Sequence, residues 1–150
     1  MSYKEKSISI SLVSYIMILG YYLLKVLQMV KEGGLVASRL FVLWAVVIVA
    51  TILVNILGNI LASIVLAIAH AIRTRSEQVE RYVEDERDRL IDLKGTKIAY
   101  ITFSIGVFIA MLAFILGQSG LVMFALIVFF SSLAEIVGSI YQIVQYRRGF

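Results

Sequence analysis

Four apolar stretches, at about residues 8–30, 40–71, 98–116 and 121–144, leave this chain little choice of fold. Each is near or above the roughly 20 residues that a helix needs to cross the hydrocarbon core of a bilayer. In lipid a backbone must satisfy its own hydrogen bonds, so stretches of this kind form helices rather than open strands or loops. A soluble bundle would instead need a polar stripe along every helix. The composition argues against that alternative, with 61% of residues hydrophobic, 16% charged and a mean hydropathy of +0.94. The expectation is an all-α, polytopic membrane protein, one transmembrane domain over residues 1–150 with four transmembrane helices. No small-residue cleavage site follows the first stretch, so it is expected to remain as a span rather than be removed as a signal peptide.

The polar breaks are Lys31 to Arg39, the long stretch 73–97, and the short Gly117-Gln118-Ser119-Gly120 turn. They group the spans into two helical hairpins, with both termini and the 73–97 loop on one side. That side carries Lys4, Lys6, seven basic residues from Arg73 to Lys97, Arg147 and Arg148, whereas the other carries only Lys25, Lys31 and Arg39. Eleven basic residues against three place the first side in the cytoplasm by the positive-inside rule. The expected location is thus the cell (inner or plasma) membrane, with the N-terminus and C-terminus cytoplasmic. The net charge of +4 accordingly reports topology, and no nucleic-acid partner is expected.

At a rise of 1.5 Å per residue the second stretch reaches about 48 Å against a core of roughly 30 Å, so it must tilt, bend or project. Gly58-Asn59 marks a place for a bend. Beyond it, residues 76–93 place Val79, Val83, Leu90 and Leu93 at three-to-four spacing, with opposite charges at Glu77/Arg81, Arg81/Asp85 and Asp85/Arg89. That pattern predicts a cytoplasmic amphipathic helix between the second and third spans.

A shift of 80 residues aligns 41–60 with 121–140, with identities at Val42/Val122, Ala45/Ala125, Leu53/Leu133, Ile56/Ile136, Gly58/Gly138 and Ile60/Ile140. The polar pairs Thr51/Ser131, Asn55/Glu135 and Asn59/Ser139 coincide as well. Such a match suggests an internal duplication of a hairpin, its copies related by an axis along the membrane normal.

Glu135 is the one acid well inside an apolar stretch. A carboxylate at that depth costs several kcal/mol if charged, so such residues turn inward and are associated with ion, proton or substrate handling. Ser131, Ser139 and Gln142 share its helical face, and Asn55, Asn59 and Ser63 form the matching stripe on the second span. If the two stripes face each other, Asn55 is placed to hydrogen-bond Glu135. Two readings stand: an interhelical polar clamp, worth about 0.6–2 kcal/mol, and a ligand- or proton-binding site formed by Glu135, Asn55, Asn59, Ser131, Ser139 and Gln142. Lys25 lies too near the outer end of the first span to pair with Glu135 and is expected to snorkel.

No cofactor and no metal site is expected. Cysteine is absent, and the single histidine, His70, cannot supply paired haem ligands or a multi-histidine zinc site. Glu80, Glu84 and Asp88 share a helical face, but Arg81, Arg87 and Arg89 interleave with them, and the calcium-loop spacing is missing. The aromatic residues Tyr15, Tyr21, Tyr22, Tyr100, Tyr141, Trp44 and Tyr146 are candidates to line a cavity or to sit at the interfaces, with interface or packing as the default. Nor is there a nucleophile, metal set or phosphate-binding motif where an enzyme would need one.

The run Asp85-Glu86-Arg87-Asp88-Arg89-Leu90-Ile91-Asp92-Leu93-Lys94, followed by Tyr146-Arg147-Arg148-Gly149 at the far end, resembles a group of small four-helix membrane proteins of bacteria and archaea. The resemblance covers about residues 84–149 and includes Glu135. It implies architecture and no activity. The leading functional expectation is a non-enzymatic homo-oligomer, or an accessory or regulatory subunit contacting another membrane or cytoplasmic protein, with the lipid bilayer as its constant partner. The alternative is a small proton- or cation-coupled transporter or ligand-binding protein that uses Glu135.

Overall fold

The computed structural model describes residues 3–73 and 86–148, which form four α-helices: α1 (Tyr3–Lys31), α2 (Ala37–Arg73), α3 (Glu86–Ile115) and α4 (Gly120–Arg148). Each is long and apolar enough to cross a membrane. The surface supports the same solvent, because large side chains such as Met17, Leu24, Phe108 and Leu116 point outward, each more than half exposed. In water, apolar faces of this extent would drive association.

The helix ends are set by local chemistry. After α1, the Gly34 N–H reaches the Met29 carbonyl oxygen (3.1 Å) and the Gly33 N–H that of Val30 (3.5 Å). After α3, the Gln118 N–H reaches Ala113 and the Gly117 N–H reaches Phe114, both at 3.1 Å. This paired closure of the last carbonyls requires a left-handed residue just past the helix, supplied by Gly33 (φ 120°) and Gly117 (φ 94°). Ser119 then caps α4, its hydroxyl accepting the Val122 N–H at 3.3 Å.

Helix α4 is the centre of the bundle, packing on α1, α2 and α3, while α2 also packs on α1. Tyr22, Met29, Leu43, Val47 and Val128 form the buried core among α1, α2 and α4, flanked by Trp44, Phe124 and Phe129. The buried Tyr22 hydroxyl donates to the Ala125 carbonyl oxygen at 2.7 Å and ties α1 to α4.

Helix α3 approaches α4 through small residues. Gly106 faces Phe130 so closely that a Cβ would overlap its side chain, and a Cβ on Gly138 would lie 3.0 Å from that of Ala99 and 3.1 Å from the Gly95 carbonyl oxygen. Ala110 is fully buried. With no hydrophobic drive between helices in lipid, such close backbone approach is what gains van der Waals contact. By contrast, among the described residues α2 and α3 do not come into backbone contact.

Polar contacts join three helix ends at one end of the bundle. Lys4 pairs with Asp92 at 3.1 Å, Arg147 with the buried Glu5 at 3.0 Å, and the Tyr146 hydroxyl donates to Asp88 at 2.9 Å. The start of α1, the start of α3 and the end of α4 are therefore held together, and the turns at 32–36 and 116–119 lie at the opposite end.

One boundary differs from the sequence reading. The third span was expected to begin near residue 98, yet α3 is continuous from Glu86. Gly95 does not interrupt it because the missing Cβ leaves room for Gln142 of α4. Residues 86–93 of the expected cytoplasmic helix are accordingly the first turns of α3, and the remainder, residues 76–85, lies outside the described residues. Helix α2 runs unbroken past Gly58-Asn59 to Arg73, close to the expected 40–71.

Candidate functional site

Because α2 and α3 stand apart on either side of α4, they leave a groove of about 330 Å³ whose floor is α4. Trp44, Ile48, Thr51 and Ile52 line it from α2, Phe103 from α3, and Phe124, Ile127, Ser131, Ser132 and Glu135 from α4. Glu135 lies about 22 Å along α4 from Gly120, and Thr51 about 21 Å along α2 from Ala37, at 1.5 Å per residue. Both helices start at the same end of the bundle, so acid and hydroxyl share a level near mid-depth.

The Glu135 side chain is exposed in this groove, although its neighbours Ala134 and Ile136 are buried. Among the described residues it makes no hydrogen bond or ion pair. The hydroxyls around it are already committed as donors: Thr51 to the Val47 carbonyl (2.9 Å), Ser131 to Val128 (2.8 Å) and Ser132 to Val128 (3.4 Å). Back-bonding of this kind is the usual way for a helix to absorb a serine or threonine proton. It leaves oxygen lone pairs, the carboxylate and aromatic faces toward the groove, with the Trp44 indole N–H the remaining polar hydrogen among its lining side chains.

Asn55 is held differently from the sequence expectation. Its Nδ2 donates to the Thr51 carbonyl at 3.0 Å, and its Oδ1 accepts the hydroxyl of the buried Tyr15 at 3.0 Å. Tyr15 also lies within electrostatic reach of Glu135. The residues matched by the 80-residue shift, Asn55 and Glu135, thus both neighbour one tyrosine of α1. Tyr15 and Trp44 were open to a cavity-lining role with interface or packing as the default, and Phe103 and Phe124 were not anticipated as site residues. Their sequence signal is that of ordinary membrane aromatics, and only the helix packing distinguishes them.

The remaining predicted residues divide. Ser131 lines the groove beside Glu135. Ser139 is buried, and Gln142 is half-buried where α3 passes at Gly95. Asn59 and Ser63 belong to α2, but their side chains, like that of His70, lie outside the described set. Of the acidic face at Glu80, Glu84 and Asp88, only Asp88 is described, and it is engaged by Tyr146 and Lys4.

A second groove, about 570 Å³, opens between α1 and α2 near the 32–36 turn, lined by Tyr21, Lys25, Gln28, Glu32, Ser38 and Arg39 among others. Gln28 and Arg39 donate to Glu32 at 2.9 and 2.8 Å, and these two hydrogen bonds, Gln28 first, hold the carboxyl below the ordinary glutamate range. Lys25 sits 6.0 Å from the centre of the Tyr21 ring, in this groove and away from Glu135. The one acid here, Glu32, is already engaged by Arg39.

No family model, curated protein or solved structure matches the chain.

Proposed function

We propose that this protein is a non-enzymatic, multi-pass membrane protein that binds a ligand from within the bilayer, and that its site is the groove around Glu135. The observation that carries this reading is an exposed carboxylate, without a partner among the described residues, at mid-depth in a groove of three aromatic residues and three hydroxyls. A structural clamp needs a partner for the acid, and none is found among the described residues. An acid kept for ligand or proton handling needs access, which the gap between α2 and α3 provides.

We further propose that both termini and the 73–97 segment face the cytoplasm, on the basis of eleven basic residues on that side against three on the other. Two hairpins derived by duplication fit the way Thr51 and Ser131, matched by the repeat, meet in one groove. Membership of the small four-helix group that the sequence resembles belongs to the same proposal. A second reading, an oligomeric or accessory role, is favoured by the open flank itself, since another helix seated between α2 and α3 would also cover Glu135.

Dicyclohexylcarbodiimide, a membrane-soluble reagent for carboxyl groups in apolar surroundings, separates the two. An open groove gives a mass adduct at Glu135 in the assembled protein. Absence of the adduct, with the protein folded, would overturn the ligand-binding reading in favour of a protein-covered acid.

A further inference from the structure

We infer that the Glu135 groove takes a hydrophobic organic cation, an ammonium-type charge carried on an apolar body, which enters between α2 and α3. This inference rests on the ligand-binding reading and names the class of ligand.

The chemistry of the lining selects the charge. Glu135 supplies a carboxylate, and Thr51, Ser131 and Ser132 turn oxygen lone pairs toward the groove because their protons go to the carbonyls of Val47 and Val128. Trp44, Phe103 and Phe124 add ring faces, with the Trp44 and Phe124 centres 6.0 Å apart. Carboxylate, hydroxyl acceptors and aromatic faces all favour a cation. A neutral lipid tail would leave the carboxylate uncompensated, and an anion would face it directly. Among the described residues no lysine or arginine lines the groove, so a cationic ligand would be the positive partner of the carboxylate.

The same lining selects the body. Val47, Ile48, Ile52, Ile127 and Val128 form the rest of the wall, and they offer an alkyl or aryl group the contact it would otherwise make with lipid. At about 330 Å³ the groove lies at the small end of the range for ligand pockets. Its lining residues lie within apolar spans at mid-depth, the level that a solute already partitioned into the membrane occupies.

Trp44 is the only tryptophan in the chain and lines this groove, which makes its fluorescence a direct report of occupancy. The wild-type protein in maltoside micelles is titrated with (11-bromoundecyl)trimethylammonium, whose bromine quenches tryptophan, and in parallel with neutral 11-bromoundecanol of the same chain length. The expected result is saturable quenching by the ammonium and only unsaturated, partition-type quenching by the alcohol. Glu135→Gln weakens the saturable component by about tenfold or more, the order of effect for a lost charge partner in a low dielectric. Glu135→Asp, which keeps the charge, retains it and guards against misfolding as the cause. Equal quenching by ammonium and alcohol, or unchanged binding in a folded Glu135→Gln, would overturn the inference. So would the absence of saturable quenching in a protein whose groove is covered by a second copy. Glu135 that still reacts with carbodiimide while the ammonium fails to bind leaves the ligand-binding reading standing and removes only the cationic class. Loss of both removes both.

Discussion

Gly106→Ala adds one methyl at the tightest point between α3 and α4. The new Cβ overlaps Phe130 at its Cβ as well as its ring, so a ring rotation alone does not relieve it and the helices must separate. Overpacking of this kind costs about 1–3 kcal/mol. Alanine also recovers about 1 kcal/mol of helix propensity relative to glycine, which would partly mask the clash if the variant were measured alone. Gly20→Ala is the matched control: Gly20 is also inside a helix, and a Cβ there meets nothing within 4 Å. The propensity gain cancels between the two, so the difference in their unfolding free energies is the clash itself, about 1–3 kcal/mol against Gly106→Ala. Unfolding by SDS in mixed micelles, followed through Trp44 fluorescence, measures it. Gly95→Ala should fall between them, because the obstacle there is the flexible Gln142 side chain. A Gly106→Ala protein as stable as Gly20→Ala would refute the close α3–α4 approach on which the groove's geometry depends.

Two further outcomes follow from the ends of the bundle. The chain has no cysteine, so Arg148→Cys and Ser119→Cys each give a single label site; the first should react with an impermeant maleimide only from the cytoplasmic side and the second only from outside, and the reverse pattern would invert the proposed orientation. Glu32, held below the ordinary glutamate range by Gln28 and Arg39, stabilises the folded 32–39 turn above that range and loses the effect as pH falls through its lowered value. Glu32→Gln should therefore lower thermal stability slightly at pH 7 and not at acidic pH; a deficit that persists unchanged into acid would contradict the hydrogen-bonded carboxylate.

The fold class was legible because spanning helices declare themselves through length and apolarity, and the turn glycines marked where two of them end. Boundaries were less so. Gly95 reads as a breaker when taken alone, and only Gln142, 47 residues onward, shows why a helix passes through it. The site was half legible for a related reason. Glu135 stands out because its depth is a property of its own segment, and Ser131 follows at one helical turn. Tyr15 and Trp44 are open to a cavity role in the sequence, yet nothing local distinguishes them from interfacial aromatics. Tyr15 meets Asn55 across 40 residues of chain, and the groove exists only because α2 and α3 fail to meet. Patterns within one helix carry periodicity, and they carry no information about a gap between two others.

That gap has a physical origin. Helix α3 presents glycines and alanine to α4 and lies against it, whereas α2 turns bulky residues such as Leu43, Val47 and Ile48 toward α4 and stands off. In water the resulting groove would be costly, at about 25 cal/mol for each Å² of apolar wall left wet. In a bilayer that drive is absent, since lipid tails are as apolar as the side chains they touch, and an open flank costs little. A membrane bundle can therefore keep a groove that a soluble one would close. The same argument does not extend to the acid inside it. A charged carboxylate at mid-depth costs several kcal/mol in lipid, and Glu135 receives no hydrogen bond or ion pair from the described residues to offset that. Packing explains the groove but not the glutamate, whose cost is offset by a proton on the carboxyl or by a partner that the described residues do not supply.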